Sequence, residues 1–420
     1  MIKIITQHVA IPKIENDISD EIEQAVKEII KDVRNRGDEA LIEYAKRFDG
    51  ATLSKLKVSE DEIKEAYDRM DKEYLEVVKR ATNNIMEFHM HQRDKGFITL
   101  QHGALLGQKV TPIERVGIYV PGGKAVYPST VLMNVIPAKI AECPYISVVT
   151  PPRADGTIAD EILACCYLLG VSAVYKIGGA GAIAALAYGT QSVEPVYKIT
   201  GPGNAYVAAA KKQVFGTVGI DMIAGPSEIL IIADNYANPA VVAADLLSQA
   251  EHDAMARCIL ATTSEKLANA VKEEIEVQIR ELPKHDICRA SIDNNGLIVI
   301  CDKIEDCFDI SNELAPEHLE IMLPDPVSFL PKVKSAGSIF LGEYTPEAIG
   351  DYYAGVNHTL PTNATSKFSS ALSVETFLKK STFVCYNEDA LKASKDDVVL
   401  FATHEGLVAH AKSVLSRIEE

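Results

Sequence analysis

Val116-Gly-Ile-Tyr-Val-Pro-Gly-Gly123 is a short apolar run closed by a proline and two glycines. A run of that length, ended by such a turn, reads as a buried strand. The residues that follow repeat the texture. Helices are expected at 130–143 and 158–169, strands at 146–150 and 173–177, then a helix, a strand at 196–199 and a helix at 204–215. Strands alternating with helices of this length build a parallel sheet covered on both faces. The alternation resumes beyond Ser227, with strands at 229–233, 259–263, 296–301, 318–322 and 338–341, a helix from 239 and another at 266–281. Upstream, 18–48 and 59–91 carry helical periodicity. The first of these breaks at Arg36-Gly37-Asp38, where glycine closes one helix and aspartate caps the next. The expected fold class is α/β: two incomplete doubly wound lobes, divided near 119–123 and again near 225–227, with small N- and C-terminal segments.

Bulk properties narrow the partners. With 420 residues, 47% of them hydrophobic and 24% charged, the chain has material for sizeable cores. A net charge of −17 argues against a nucleic-acid partner and leaves no basic stripe for an anionic membrane. The eight cysteines include no Cys-x-x-Cys pair and sit mostly in apolar runs, as small buried residues of a reducing compartment do. The first residues lack the apolar core of a signal peptide, and the most apolar region, 162–189, is interrupted by Lys176 and several glycines. A cytoplasmic protein is expected.

Several stretches carry chemistry. In Leu246-Leu-Ser-Gln-Ala-Glu-His252, Gln249 and His252 are three apart, so a helix would make them neighbours on one face and a two-point chelate for a divalent metal. Gly179-Ala-Gly181-Ala-Ile-Ala184 follows a strand and opens a helix, in the pattern of a dinucleotide turn, although Lys198 lies where an acidic residue is expected. Pro121-Gly-Gly123 and Gly201-Pro-Gly-Asn204 also follow strands, so three glycine turns share one carboxyl edge, where open α/β sheets bind ligands. Asn204 could cap its helix or bond a cofactor, and both uses stay open. Glu317-His318 places a carboxylate beside an imidazole at a turn, two groups able to take protons near neutrality. Asp351 and His358 lie in a long loop between Gly342 and Leu372. His404, Glu405 and His410 fall on a final amphipathic helix, where a solvated face is the ordinary reading.

Taken together, eight motifs in order resemble the histidinol dehydrogenase family: Val120-Pro-Gly-Gly-Lys, Thr200-Gly-Pro-Gly-Asn, Ala224-Gly-Pro-Ser-Glu, Leu247-Ser-Gln-Ala-Glu-His, Ala315-Pro-Glu-His-Leu, Gly350-Asp-Tyr, Asn357-His-Thr-Leu-Pro-Thr and Glu405-Gly-Leu-Val-Ala-His. Val33-Arg-Asn-Arg-Gly-Asp through Arg47-Phe-Asp-Gly50 extends the likeness upstream. The resemblance implies an aldehyde-dehydrogenase-like fold and an enzyme with one zinc per subunit. It would oxidise L-histidinol through the aldehyde to L-histidine with two NAD in succession. It implies Gln249, His252, Asp351 and His410 as zinc ligands, with His410 supplied by the partner of a homodimer. Glu317 and His318 would be proton acceptors. Ser227, Glu405, His318 and the four ligands would contact substrate, and Tyr119, Gly181 and Asn204 would face the cofactor. The implied division is an extension at 1–18, a catalytic domain at 19–119 and 228–371, an NAD-binding domain at 120–227, and a segment at 372–420 reaching the partner. Two departures stand out: Gly181 replaces a family glutamine, leaving only backbone contact there, and Asn363-Ala-Thr-Ser-Lys367 replaces a segment that usually carries Gly and Arg. The alternative is a related zinc and NAD enzyme acting on another small alcohol, such as a sulfonated diol.

Overall fold

The apolar runs become the centres of two parallel sheets in a computed structural model that describes residues 1–12, 18–122 and 126–418. One sheet has six strands in the order Lys3–Thr6, Leu297–Ile300, Arg257–Thr262, Glu228–Ala233, His318–Met322 and Ser338–Leu341. The other has five, in the order Ala173–Lys176, Tyr145–Thr150, Arg115–Tyr119, Lys198–Thr200 and Gly219–Ile220. Every strand pair in both sheets is parallel. Glu228–Ala233 and Arg257–Thr262 are buried at every residue, because helices cover both faces and no solvated side remains to produce alternation. The turn expected at Pro121-Gly122-Gly123 falls partly outside the described residues, which end there at Gly122.

Within this part of the chain, Met1–Gln92 with Glu114–Phe377, two edges matter. The glycine turns after Tyr119, Lys176 and Thr200 lie at the carboxyl edge of the five-stranded sheet. Glu228 and His318 are the first residues of their strands, so they mark the amino edge of the six-stranded sheet. The helix Pro239–Ala250 runs back against the strand before it and delivers its C-terminal end, with Gln249, to that same amino edge.

Three local features differ from expectation. Lys3–Thr6 pairs in parallel with Leu297–Ile300, so the first residues are an edge strand of the sheet rather than a bare extension. The helices Asp20–Arg36 and Asp38–Tyr44, expected with the other lobe, bury Val26, Ile30, Val33 and Leu41 in one core with Ala182, Ile183 and Leu186 of the helix Gly179–Tyr188. Periodicity shows that such a helix has an apolar face, but not which sheet it covers. Asp351 sits on a short helix, Glu347–Tyr352, inside the stretch expected to be loop; six residues are too few for a periodic signal.

The second unit, Arg93–Ile113 with Leu378–Glu420, is built on an antiparallel sheet in the order Leu378–Tyr386, Ala104–Pro112 and Phe97–Gln101. The expected final helix is two helices, Glu388–His404 and Val408–Leu415, parted at Gly406, whose φ of 76° favours glycine. Among the described residues no helix is long and apolar enough to cross a membrane.

Candidate active site

The amino edge of the six-stranded sheet gathers residues from four separate stretches. His318 opens its strand and is 4% exposed. Its Nδ1 lies 3.0 Å from the Glu228 carbonyl oxygen. A carbonyl can only accept, so Nδ1 carries the proton and Nε2 presents a lone pair. Among the described residues that buried Nε2 has no hydrogen-bond partner, and it lies 3.8 Å from Glu347 Oε1 and 4.0 Å from Asp351 Oδ1. Ligand atoms of His318, Glu347 and Asp351 all lie within 4.8 Å of one another. Glu347 and Asp351 are four apart on their short helix, hence on one face.

Gln249, fully buried, brings the end of its amide to 2.8 and 3.1 Å from the two Glu347 carboxylate oxygens and 3.0 Å from His318 Nδ1. Turned one way the amide donates to Glu347; turned the other, its oxygen joins a ring of acceptors around the same space. His252 follows the end of that helix. Although part of its surface is open, its ring is held below the ordinary histidine value, first by the protein packed around it and then by neighbouring His318.

Electrostatically the cluster is short of positive charge. Burial pushes Glu347 up to about 8 and Asp351 up to about 7. Glu317 is driven well above the carboxylate range, chiefly by burial, although its Oε2 accepts from Glu228 N–H at 2.9 Å. His318 is lowered, again first by burial, so it is a neutral base. Three buried carboxyls around a neutral imidazole are costly unless protonated or given a cation. This donor set of carboxylate, imidazole and amide oxygen suits zinc.

The carboxyl edge of the five-stranded sheet holds a cavity of about 770 Å³, lined by Tyr119, Thr150, Gly179, Gly181 and Asn204 and walled on one side by Phe48 and Asp49. The Tyr119 hydroxyl accepts from Gly179 N–H at 3.2 Å, and burial raises that phenol to about 12. Asn204 caps the helix Ala205–Val214 through Oδ1, which accepts from Tyr206 and Val207 N–H at 3.1 and 3.2 Å. A cavity of this size suits a nucleotide.

A family model described as histidinol dehydrogenase matches residues 13–418. The chain belongs to the histidinol dehydrogenase family. The histidinol dehydrogenase of Geobacillus kaustophilus is 52% identical over 403 residues, covering 96% of this chain and 95% of that protein. The one from Streptococcus mutans is 53% identical over 395 residues, covering 94% and 92%. The crystal structure of histidinol dehydrogenase from Elizabethkingia anophelis superposes with a TM-score of 0.92 at 40% identity, over 98% of this chain and 94% of that one. An acetylating aldehyde dehydrogenase from Geobacillus thermoglucosidasius, 12% identical, covers 89% of this chain and 99% of its own with a TM-score of 0.50, a likeness of fold alone. The fold is therefore the α/β, aldehyde-dehydrogenase-like one expected.

Against the histidinol dehydrogenase motifs, Gln249, His252, Glu317, His318 and Asp351 meet at one edge. Ser227 immediately precedes the strand that carries Glu228 and lies at that edge too. Tyr119, Gly181 and Asn204 line the cavity at the other sheet. A Cβ at Gly181 would lie 3.2 Å from Leu41 Cδ2, so the cavity wall is tight there. Glu405 and His410 are exposed residues of the second unit, on its helix end and its last helix.

Sequence reading missed Glu347. The signal was the Glu347-x-x-x-Asp351 spacing, hidden because the helix is so short. It also missed the support behind it: Glu320 Oε1 accepts from Glu347 N–H at 2.9 Å, and burial with the neighbouring Asp245 drives Glu320 well above its ordinary value. His358 was noted without a role. Burial pushes it down to about 4, with His318 and His252 close by.

Proposed function

We propose that this chain oxidises L-histidinol to L-histidine through the aldehyde, passing two hydrides to NAD, with one zinc per subunit at the Gln249–His252–Asp351 cluster. The observation that carries the reading is the unpartnered, buried Nε2 of His318 facing Glu347 and Asp351. Among the described residues this base has no hydrogen-bond partner, which leaves its lone pair for a substrate proton. Family membership supplies the substrate class. A zinc ion bound there would grip the substrate's amino and imidazole nitrogens and polarise them.

The chain's own groups do the rest. His318 Nε2 takes the hydroxyl proton as the carbinol hydrogen leaves as hydride, and the Nδ1–H bond to the Glu228 carbonyl keeps the correct tautomer throughout. Glu317, one residue away, takes a proton from the water that hydrates the aldehyde before the second oxidation. Burial pushes Glu317 well above the carboxylate range, so positive charge in the pocket favours the ionised form that this task uses. Tyr119, Gly181 and Asn204 hold the dinucleotide in the cavity at the other sheet edge, where the first turn of the helix Ala205–Val214 favours its anionic phosphates.

The partner subunit's His410 completes the ligand set, and the site is shared across a homodimer. The protein works in the cytoplasm. NADH formation from L-histidinol, measured beside other small alcohols including a sulfonated diol, tests the assignment: histidinol should be strongly preferred, and equal or better turnover of a diol would overturn it.

A further inference from the structure

Beneath the turn that carries Asn204 lies an ion pair that the proposed chemistry does not use. Asp221 Oδ2 accepts from Gly201 N–H at 2.8 Å, and its Oδ1 accepts from Met222 N–H at 2.6 Å while pairing with the Lys211 ammonium. Lys211 Nζ in turn donates to the Gly201 carbonyl at 3.0 Å. The two side chains are 2% and 1% exposed. Both polar backbone groups of one residue, Gly201, are thus held by the two halves of one buried pair. Gly201 itself has φ of 112°, and a Cβ there would sit 2.0 Å from the Tyr119 carbonyl oxygen, so the turn lies directly on the backbone of Tyr119. Three residues on, Asn204 spends its Oδ1 on the helix cap and lines the cavity.

A buried ion pair adds little stability over an apolar pair of equal volume. What it supplies here is position. Lys198 is within electrostatic reach of both members of the pair, and burial holds its ammonium below the ordinary lysine value.

We propose that Lys211 and Asp221 are the positioning pair of the dinucleotide site, fixing the Gly201–Asn204 turn against Tyr119 so that Asn204 and the start of its helix meet the cofactor. This rests on reading the cavity as the NAD site. The pair acts on cofactor binding and leaves the metal cluster untouched.

The test uses zinc-loaded full-length protein and steady-state kinetics with histidinol and NAD. In Lys211→Met, KM for NAD should rise about tenfold or more while KM for histidinol and bound zinc stay within about twofold. Lys211→Arg should recover part of the loss. Should Lys211→Met fail to fold, Asp221→Asn, which keeps the shape but cannot accept both backbone bonds, decides on the same criterion. The double variant Lys211→Met/Asp221→Leu should regain the parental melting temperature yet keep the raised KM for NAD. An unchanged KM for NAD in the folded variants, or recovery of both melting temperature and KM in the double variant, overturns the proposal. Phe48→Glu, at an exposed cavity wall, separates the two readings. If it weakens NAD while the Lys211 variants do not, the positioning pair alone is wrong; if it leaves NAD binding unchanged, the cavity assignment falls and the proposal with it.

Discussion

Zinc binding to metal-stripped protein should tighten steeply as pH rises through neutrality. Glu347 is pushed to about 8 and Asp351 to about 7, in both cases first by burial. A cation within reach of both requires both ionised, so each bound proton competes with the metal. Between about pH 6 and about pH 7, the ionised fraction rises roughly ninefold for a group at 8 and roughly fivefold for one at 7, a product of about fiftyfold or about 2.3 kcal/mol. His252 and His318 lie below the ordinary histidine value, first through burial, so protons on them compete with the metal less than on an ordinary imidazole. Ordinary carboxylates, ionised throughout, would shift affinity by only a few per cent. Competition against a chromophoric zinc chelator, corrected for its own protonation, reads the affinity at both pH values. In Glu347→Gln the rise should shrink to about fivefold. A change below about threefold in the parent would refute the electrostatic picture of the pocket.

Other consequences follow from the same geometry. Glu347 and Asp351 hold their protons more tightly folded than unfolded, so the metal-free protein should lose thermal stability as pH rises from about 5 to above about 8, and zinc should abolish that slope. A melting temperature that climbs with pH in the metal-free form would contradict this. His252→Asn should lose metal and turnover together with no change in circular dichroism, since the residue is partly open to solvent. Full turnover in that variant would exclude His252 as a ligand. Mixing inactive His318→Asn with inactive His410→Asn should restore activity through hybrid dimers that keep one intact shared site. No recovery despite demonstrated subunit exchange would count against a ligand from the partner.

Much of the fold was legible because parallel strands buried on both faces leave unbroken apolar runs. The run at 229–233 is the strand Glu228–Ala233, and that at 318–322 is His318–Met322. The antiparallel strands Phe97–Gln101 and Leu378–Tyr386 escaped notice because they are mostly exposed, and apolar residues on both faces of the first, Phe97 beside Ile98 and Leu100, blur a period of two. At the site, motifs located Gln249, His252, Glu317, His318 and Asp351 but could not show that the cluster forms at the amino edge of one sheet while the glycine turns line the carboxyl edge of another. That arrangement depends on chain crossings between sheets, which no local pattern encodes. Glu347 was hidden first by the shortness of its helix, and its meaning comes from lying 3.8 Å from an imidazole 29 positions away, as counted from His318.

The most direct measurement of the central claim is a zinc titration of chelator-stripped protein during turnover of L-histidinol. Activity should be absent without metal, rise linearly to a plateau at one zinc per subunit, and yield two NADH for each histidinol consumed. Full activity in the stripped protein, or a plateau reached with no zinc retained at the Gln249–His252–Asp351 cluster, would contradict the account.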